Sequence, residues 1–253
     1  MTEAEWLACD EPERLYEFVR SSLSDRQVRL AACAIIRCAP FHPDGRSVWD
    51  VSPEYSWFAP VQPGGKWYGF TARDAITASE KEADGTETVD EGEAAQIVGF
   101  GTLWCAESYT PLYTDTPIAD CWPQYAAAKL VHDTTSETLS RLRSQLLRYR
   151  QVFRESHWAD LHSQNGAVVC EIIREIKRNP FRPVSFNPAW RTDTAIALAR
   201  GMYDSRDFGA MPILADALQD AGCEDEQVLN HCRDATAVHV RGCWVCDLVL
   251  GKV

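Results

Sequence analysis

The fold class follows most directly from one stretch, MPILADALQDAG at residues 211–222. Pro212 suits the first turn of a helix, where an N–H has no partner anyway, and Gly222 suits the residue that closes one. Between them, apolar side chains recur every three or four residues, at Ile213, Leu214, Ala217 and Leu218. This period predicts an amphipathic helix whose apolar face packs on a core.

Similar signals predict helices on both sides of this stretch. Thr192-Asp193 suits a helix start upstream, and Asp225 suits one downstream. An apolar stripe over 168–176 predicts another helix, which ends at a Lys-Arg-Asn-Pro sequence with its cations at the favoured end. The run from Cys243 to Leu250 is too apolar for a free tail, so we expect it to dock into the core.

The N-terminal 40 residues predict two more helical segments. Thr2 and Glu5 have the spacing of a capping box, and Ser24-Asp25 suits the start of a helix that is apolar on most sides. Pro40 ends that helix, because proline lacks the N–H that a helix interior needs.

The middle of the chain lacks the helical spacing of apolar residues that the two ends show. Residues 41–123 form an aromatic, loop-rich insert with room for short strands, and its 73–94 portion is an acidic loop. Residues 124–178 predict long helices, with five arginines between 141 and 154, and 179–253 predict shorter ones. We therefore predict a single, mainly α domain over 1–253, a compact multi-helix body that carries the insert.

Composition limits the function classes. The formal net charge of −12 over 253 residues disfavours binding to nucleic acid and to anionic membranes. The ten cysteines are scattered, which is typical of reduced thiols and not of a disulfide scaffold. With no basic leader and no long apolar run in the sequence, we expect a cytoplasmic protein.

Common catalytic motifs are absent. Gly99-Phe100-Gly101 resembles the start of a dinucleotide loop, but Trp104 stands where the third glycine belongs. The densest titratable group is His157, Asp160 and His162, where a helix would place the first two on one face. These three are weak catalytic candidates, and the sequence favours a non-enzymatic protein without deciding the question.

Three cysteines and a histidine near the C-terminus have the residue types of a structural zinc site: Cys232, His239, Cys243 and Cys246. His231 adds a fifth possible donor. The alternative is a helix whose apolar stripe uses Cys243, Cys246 and Leu250, since free cysteine is often a small core residue. On that alternative no cofactor is expected, and the zinc interpretation remains open beside it.

Several motifs at the two ends of the chain occur together: MTEAEWLAC at 1–9, NPFRPV at 179–184, MPILADALQDAGC at 211–223 and HVRGCW at 239–244. This combination resembles an uncharacterised paralogous family abundant in planctomycete bacteria. The resemblance implies an α-helical, cytoplasmic protein, and it brings no activity or catalytic residue. The centre departs from the family's alanine-rich helical stretch, and the family usually has valine at the position of Cys246.

Three hypotheses of function follow. The first is a cytoplasmic interaction or regulatory module whose aromatic insert or arginine-bearing helix binds a protein partner. The second is an enzyme or small-ligand-binding protein with a pocket between the insert and the helical body. The third is a domain stabilised by structural zinc.

Overall fold

The computed structural model describes residues 1–38, 77, 80–81, 83–86 and 159–252. Regular structure in these residues is helical, without strands, so the mainly α prediction is confirmed for this part of the chain. The described residues include only part of the 73–94 loop. The rest of the aromatic insert, the arginine-bearing segment and His157 lie outside them.

The helices follow one another along the chain with two short 3-10 turns, at Arg20–Ser22 and Pro188–Trp190. They are α1 (Glu3–Ala8), α2 (Pro12–Val19), α3 (Asp25–Cys38), α4 (Ala159–Lys177), α5 (Asp193–Ser205), α6 (Met211–Asp220), α7 (Glu226–Arg233) and α8 (Trp244–Leu250). The chain divides into two compact units. Met1–Cys9 and Glu171–Val253 form one, called the C-terminal unit here, and Asp10–Cys170 form the other.

Side-chain caps begin the helices where the sequence predicts. The Thr2 hydroxyl accepts a hydrogen bond from the Glu5 backbone N–H, and the Glu5 carboxylate accepts one from the Thr2 backbone N–H. The Thr192 side chain caps α5, and Asp225 accepts from two backbone N–H groups at the start of α7. Each cap satisfies donors that a helix cannot satisfy by itself.

The apolar core of the C-terminal unit is formed by α5, α6, α7 and α8 together with Cys223 and Cys243. Its fully buried side chains include Ala195, Ala199, Leu214, Leu218, Val228 and Val245. Val249 near the end of α8 is also buried, so the expected docking of the last apolar run is confirmed. Burial of this apolar surface is the main stabilising contribution to the unit.

A buried polar contact fixes the chain just before α8. The Tyr203 hydroxyl donates to the Asp247 carboxylate and accepts from the Gly242 backbone N–H at 2.8 Å. Because Gly242 directly precedes Cys243, this contact also places the Cys243 side chain.

The N-terminal helix is held by α4. The Arg174 guanidinium donates to the carbonyl oxygens of Trp6, at 2.8 Å, and of Cys9, at the end of α1. A cation is favoured at this end of a helix, where carbonyl groups lack intrahelical partners. Trp6 is only 1% exposed, so α1 is anchored by a buried side chain as well as by Arg174.

In the other unit, two ion pairs connect α3 to the predicted acidic loop, whose residues 77, 80, 81 and 83 are helical in the structure. Arg37 lies 2.6 Å from Glu80, and Arg26 lies 2.9 Å from Asp84. Both carboxylates are almost fully buried, and pairing offsets the cost of burying their charge. Among the described residues, no helix combines the length and the apolar character that a membrane crossing needs.

Candidate metal centre

Four side chains of the C-terminal unit converge on one point: Glu175, His231, His239 and Cys243. We call them the four-donor cluster. Glu175 lies on α4, His231 on α7, His239 between α7 and α8, and Cys243 is the N-cap of α8. One donor atom from each residue lies within 4.8 Å of the others, and these four residues could hold a metal ion.

Glu175 is the centre of the contacts in this cluster. Its Oε1 is 3.0 Å from His239 Nδ1, and its Oε2 is 3.3 Å from His231 Nε2. The Glu175 side chain is only 4% exposed. A buried carboxylate needs such partners, because burying its charge without compensation costs several kcal/mol.

The thiol of Cys243 meets the same histidine nitrogen as the carboxylate does. Cys243 Sγ lies 3.3 Å from His231 Nε2, and Glu175 Oε2 lies 3.3 Å from that atom too. In a nucleophile–histidine–carboxylate triad the two partners contact opposite nitrogens of the imidazole. Convergence on one nitrogen instead resembles the arrangement of ligands around a shared ion.

The separations fit tetrahedral coordination. Zinc binds nitrogen and oxygen at about 2.0–2.1 Å and thiolate sulfur at about 2.3 Å, so neighbouring ligands lie about 3.3–3.6 Å apart. The three contacts of the cluster measure 3.0, 3.3 and 3.3 Å. The other separations within the cluster are at most 4.8 Å, so the donors would have to move closer together to bind one ion.

The charge and chemistry of the donors favour a divalent transition metal. An ionised Glu175, a Cys243 thiolate and two neutral imidazoles carry a charge of about −2 together, which a divalent ion neutralises. Mg²⁺ and Ca²⁺ prefer oxygen ligands only, whereas Zn²⁺ accepts nitrogen, sulfur and oxygen.

Without a metal, the neighbours of these groups shift their proton affinities. Burial alone would raise the pKa of Glu175, but hydrogen bonds and charge from His231 and His239 lower it to about 2. Burial raises the pKa of Cys243 well above its usual range, and Cys246 and Glu175 act in the same direction. Burial alone would lower the pKa of His231, but Cys243 and Glu175 more than offset this and raise it.

Among the described residues, one nitrogen of the cluster has no hydrogen-bond partner. His239 Nδ1 faces Glu175, while its Nε2 is buried without a hydrogen-bond partner. A buried unpaired group costs about 1–3 kcal/mol, a cost that a metal bound through His239 Nδ1 would leave in place.

The cluster is largely buried. Cys243 is fully buried, and the His239 and His231 side chains are 8% and 15% exposed. Aromatic rings lie beside the two imidazoles, with Phe208 at 6.4 Å from His239 and Trp244 at 4.9 Å from His231 between ring centroids. Four protein donors in a closed site are typical of structural metal sites, since catalytic ones keep a position open for water or substrate.

The structure places two of the four predicted zinc ligands in the four-donor cluster and the other two in the apolar core. His239 and Cys243 belong to the four-donor cluster, and so does His231, the fifth possible donor. Cys246 contacts the Met211 sulfur at 3.8 Å, hydrogen bonds with Cys243 and is buried in the apolar core. Cys232 is buried in the same core at 1% exposure.

Glu175 is the donor that the sequence analysis missed. It lies inside the apolar stripe of α4, next to Ile176 and three residues after Ile172, both of which are buried. A carboxylate in a stripe that packs on a core is the signal that could have identified it, because such a charge needs a partner.

The structure does not describe the side chains of the three catalytic candidates, His157, Asp160 and His162. Asp160 and His162 lie on α4, in its first turns, where the side chains are not described, and His157 precedes the described part of that helix.

Comparisons of the chain with models of protein families, with curated proteins and with solved structures give no match. The functional argument therefore depends on the geometry of the four-donor cluster.

Proposed function

We propose that the C-terminal unit is a zinc-binding domain in which Glu175, His231, His239 and Cys243 hold one buried structural zinc ion. The observation that carries this proposal is the convergence of carboxylate, imidazole and thiol donors within 4.8 Å of one another. The role is non-enzymatic, because four protein donors complete a tetrahedral ion and leave no position for substrate.

The ion would fasten segments that are distant in sequence. Glu175 comes from α4, whereas the other three donors lie within the 13 residues from His231 to Cys243. An ion that binds only the folded unit stabilises it in proportion to the logarithm of its concentration over Kd. The zinc ion would thus hold α4 against α7 and the start of α8.

This proposal is compatible with a partner-binding role for the rest of the chain. The interaction-module hypothesis depends on the aromatic insert and the arginine-bearing segment, which lie outside the described residues, and it stays a prediction. The same holds for a cytoplasmic location and for a pocket beside the insert.

The test is zinc stoichiometry in the tag-free full chain, compared between two cysteine variants. Cys243→Ser removes a proposed ligand, while Cys246→Val replaces a core thiol on the same helix with an apolar side chain of similar volume. We expect one zinc per chain in the wild type and in Cys246→Val, and none in Cys243→Ser, by native mass spectrometry and elemental analysis.

Cobalt substitution gives a second readout. A tetrahedral Co²⁺ site with one thiolate ligand produces a sulfur-to-metal charge-transfer band, which Cys243→Ser should abolish and Cys246→Val should keep. The proposal is wrong if the wild-type chain, refolded with zinc and then freed of excess metal, retains none. It is also wrong if Cys243→Ser retains a full equivalent.

A further inference from the structure

Two of the four proposed ligands, His239 and Cys243, lie in one turn between α7 and α8. A backbone hydrogen bond of 2.9 Å from the Cys243 N–H to the Val240 carbonyl oxygen closes this turn. Gly242 has a φ of 99°, in the left-handed region that favours glycine. The direction of the Cys243 side chain therefore depends on what holds the Gly242 backbone in this conformation.

Tyr203 on α5 contacts the turn through three of its groups. Its hydroxyl accepts a hydrogen bond of 2.8 Å from the Gly242 N–H, and its carbonyl oxygen accepts one of 3.3 Å from the Arg241 guanidinium. The same guanidinium lies over the Tyr203 ring, 5.1 Å from its centroid, where a cation is attracted to the aromatic face. Two consecutive residues of the turn are thus bound to one buried residue.

Asp247 on α8 orients the Tyr203 hydroxyl. The hydroxyl donates its single hydrogen to the Asp247 carboxylate, so its oxygen is left to accept from the Gly242 N–H. Tyr203 and Asp247 are 2% and 4% exposed, so water does not readily replace either partner. Carboxylate, hydroxyl and amide form a hydrogen-bonded chain that ends one residue before Cys243.

Every contact in this chain joins protein groups, so the chain of contacts can form before an ion binds. Ordering a binding segment in advance removes that cost from the binding step and raises affinity. A turn without these contacts would have to be ordered by the ion itself, at the expense of affinity.

We propose that Tyr203 is a positioning residue that holds the turn 239–243 in its metal-binding conformation and thereby sets the affinity of the site for its ion. This inference rests on the proposed zinc function and deepens it, because it names the side chain that regulates how tightly the same site holds zinc. Tyr203 acts through Gly242 and is not itself one of the four donors.

The decisive experiment is the zinc affinity of Tyr203→Phe, measured in the full chain by competition with a chromophoric chelator. Phenylalanine keeps the ring against Arg241 and removes only the hydroxyl. In the zinc-bound variant the Gly242 N–H stays buried without an acceptor, whereas the metal-free turn is free to rotate it toward water. We therefore expect an affinity about 10- to 100-fold weaker, the usual effect of removing a group that supports a metal ligand.

Tyr16→Phe is the matched control. Tyr16 is also buried, but it belongs to the other unit, and its hydroxyl has no hydrogen-bond partner among the described residues. Its zinc affinity should equal that of the wild type. The cobalt charge-transfer band should persist in Tyr203→Phe, because all four ligands remain, so weaker binding with an intact band separates a positioning role from a lost ligand.

An unchanged or stronger affinity in Tyr203→Phe, with zinc bound normally by the wild type, overturns this inference and leaves the zinc domain standing. A purely structural role for Tyr203 would give that result, since stability would then fall equally with zinc and with chelator. An equal loss of affinity in Tyr16→Phe would also overturn it. A wild-type chain that binds no zinc overturns the proposed function itself.

Amide hydrogen exchange of the wild type, followed by NMR, tests the inference even if Tyr203→Phe does not fold. In chelator the Gly242 amide should exchange as slowly as the buried amides of α5, because the Tyr203 hydroxyl already holds it. Exchange at the rate of an unstructured peptide in chelator, slowed only by zinc, would show that the ion and not Tyr203 orders the turn.

Discussion

The apolar core and the four-donor cluster share α7 and α8, yet they depend on sequence in different ways. The core takes residues at helical spacing, such as Val228 and Cys232 on α7. The cluster takes one residue from each of four places in the chain. At the start of α8 the two meet, since Cys243 belongs to both the core and the cluster, while Cys246, one turn later, belongs only to the core. Identical side chains on one short helix therefore acquire different roles from their surroundings.

The largest expected effect comes from breaking the core. Leu214 is fully buried, and Leu214→Ala should lower the free energy of unfolding by about 2–5 kcal/mol through lost burial and a residual cavity. Because the core does not need the ion, we expect the same loss with saturating zinc and with chelator. Denaturant titrations under both conditions measure it. A loss confined to the zinc-loaded protein would mean that core and cluster are not separable.

Breaking the cluster should have a conditional effect. Glu175→Gln keeps the side-chain shape but removes the charge that a divalent ion requires. With zinc at a hundredfold excess over the wild-type Kd, the wild type gains about 3 kcal/mol of stability, and the variant should lose this gain. In chelator the variant should lose only the stability that the Glu175 charge gains from the two histidines, so its loss should be smaller than with zinc. Parallel denaturant titrations with zinc and with chelator test this, and an equal loss in both would assign Glu175 a role unrelated to metal.

The smallest effect is a dependence on pH in the metal-free protein. The pKa of Glu175 is lowered from 4.5 to about 2 in the folded chain by its two histidine partners. Its contribution to stability is therefore present above pH 4.5 and is lost as the pH falls toward 2. Between pH 6 and pH 4 the wild type should lose about 1 kcal/mol more than Glu175→Gln does. Parallel slopes for the two proteins in chelator would contradict this.

Sequence reasoning predicts the core better than the cluster, for physical reasons. The starts of α5 and α7 and the apolar stripe of α6 depend on neighbours within four residues, and these local signals were sufficient. The cluster needs Glu175 beside His231, which is 56 residues away in the sequence (231 − 175). No local spacing encodes that contact. The spacing of the cysteines instead predicted Cys232 and Cys246 as zinc ligands, and the folded chain places both in the core.

The position of Glu175 within an isoleucine stripe also determines how related chains could be recognised. Its neighbours Ile172, Ile173 and Ile176 are all buried, so one inserted residue in this turn would rotate the carboxylate by about 100° away from the histidines. Evolution can therefore vary Cys246, the second cysteine of the Cys-x-x-Cys pair, and still keep the site, but it cannot change the register of α4. A useful search pattern for distant homologues is a carboxylate inside such a stripe, followed later by His-x7-His-x3-Cys.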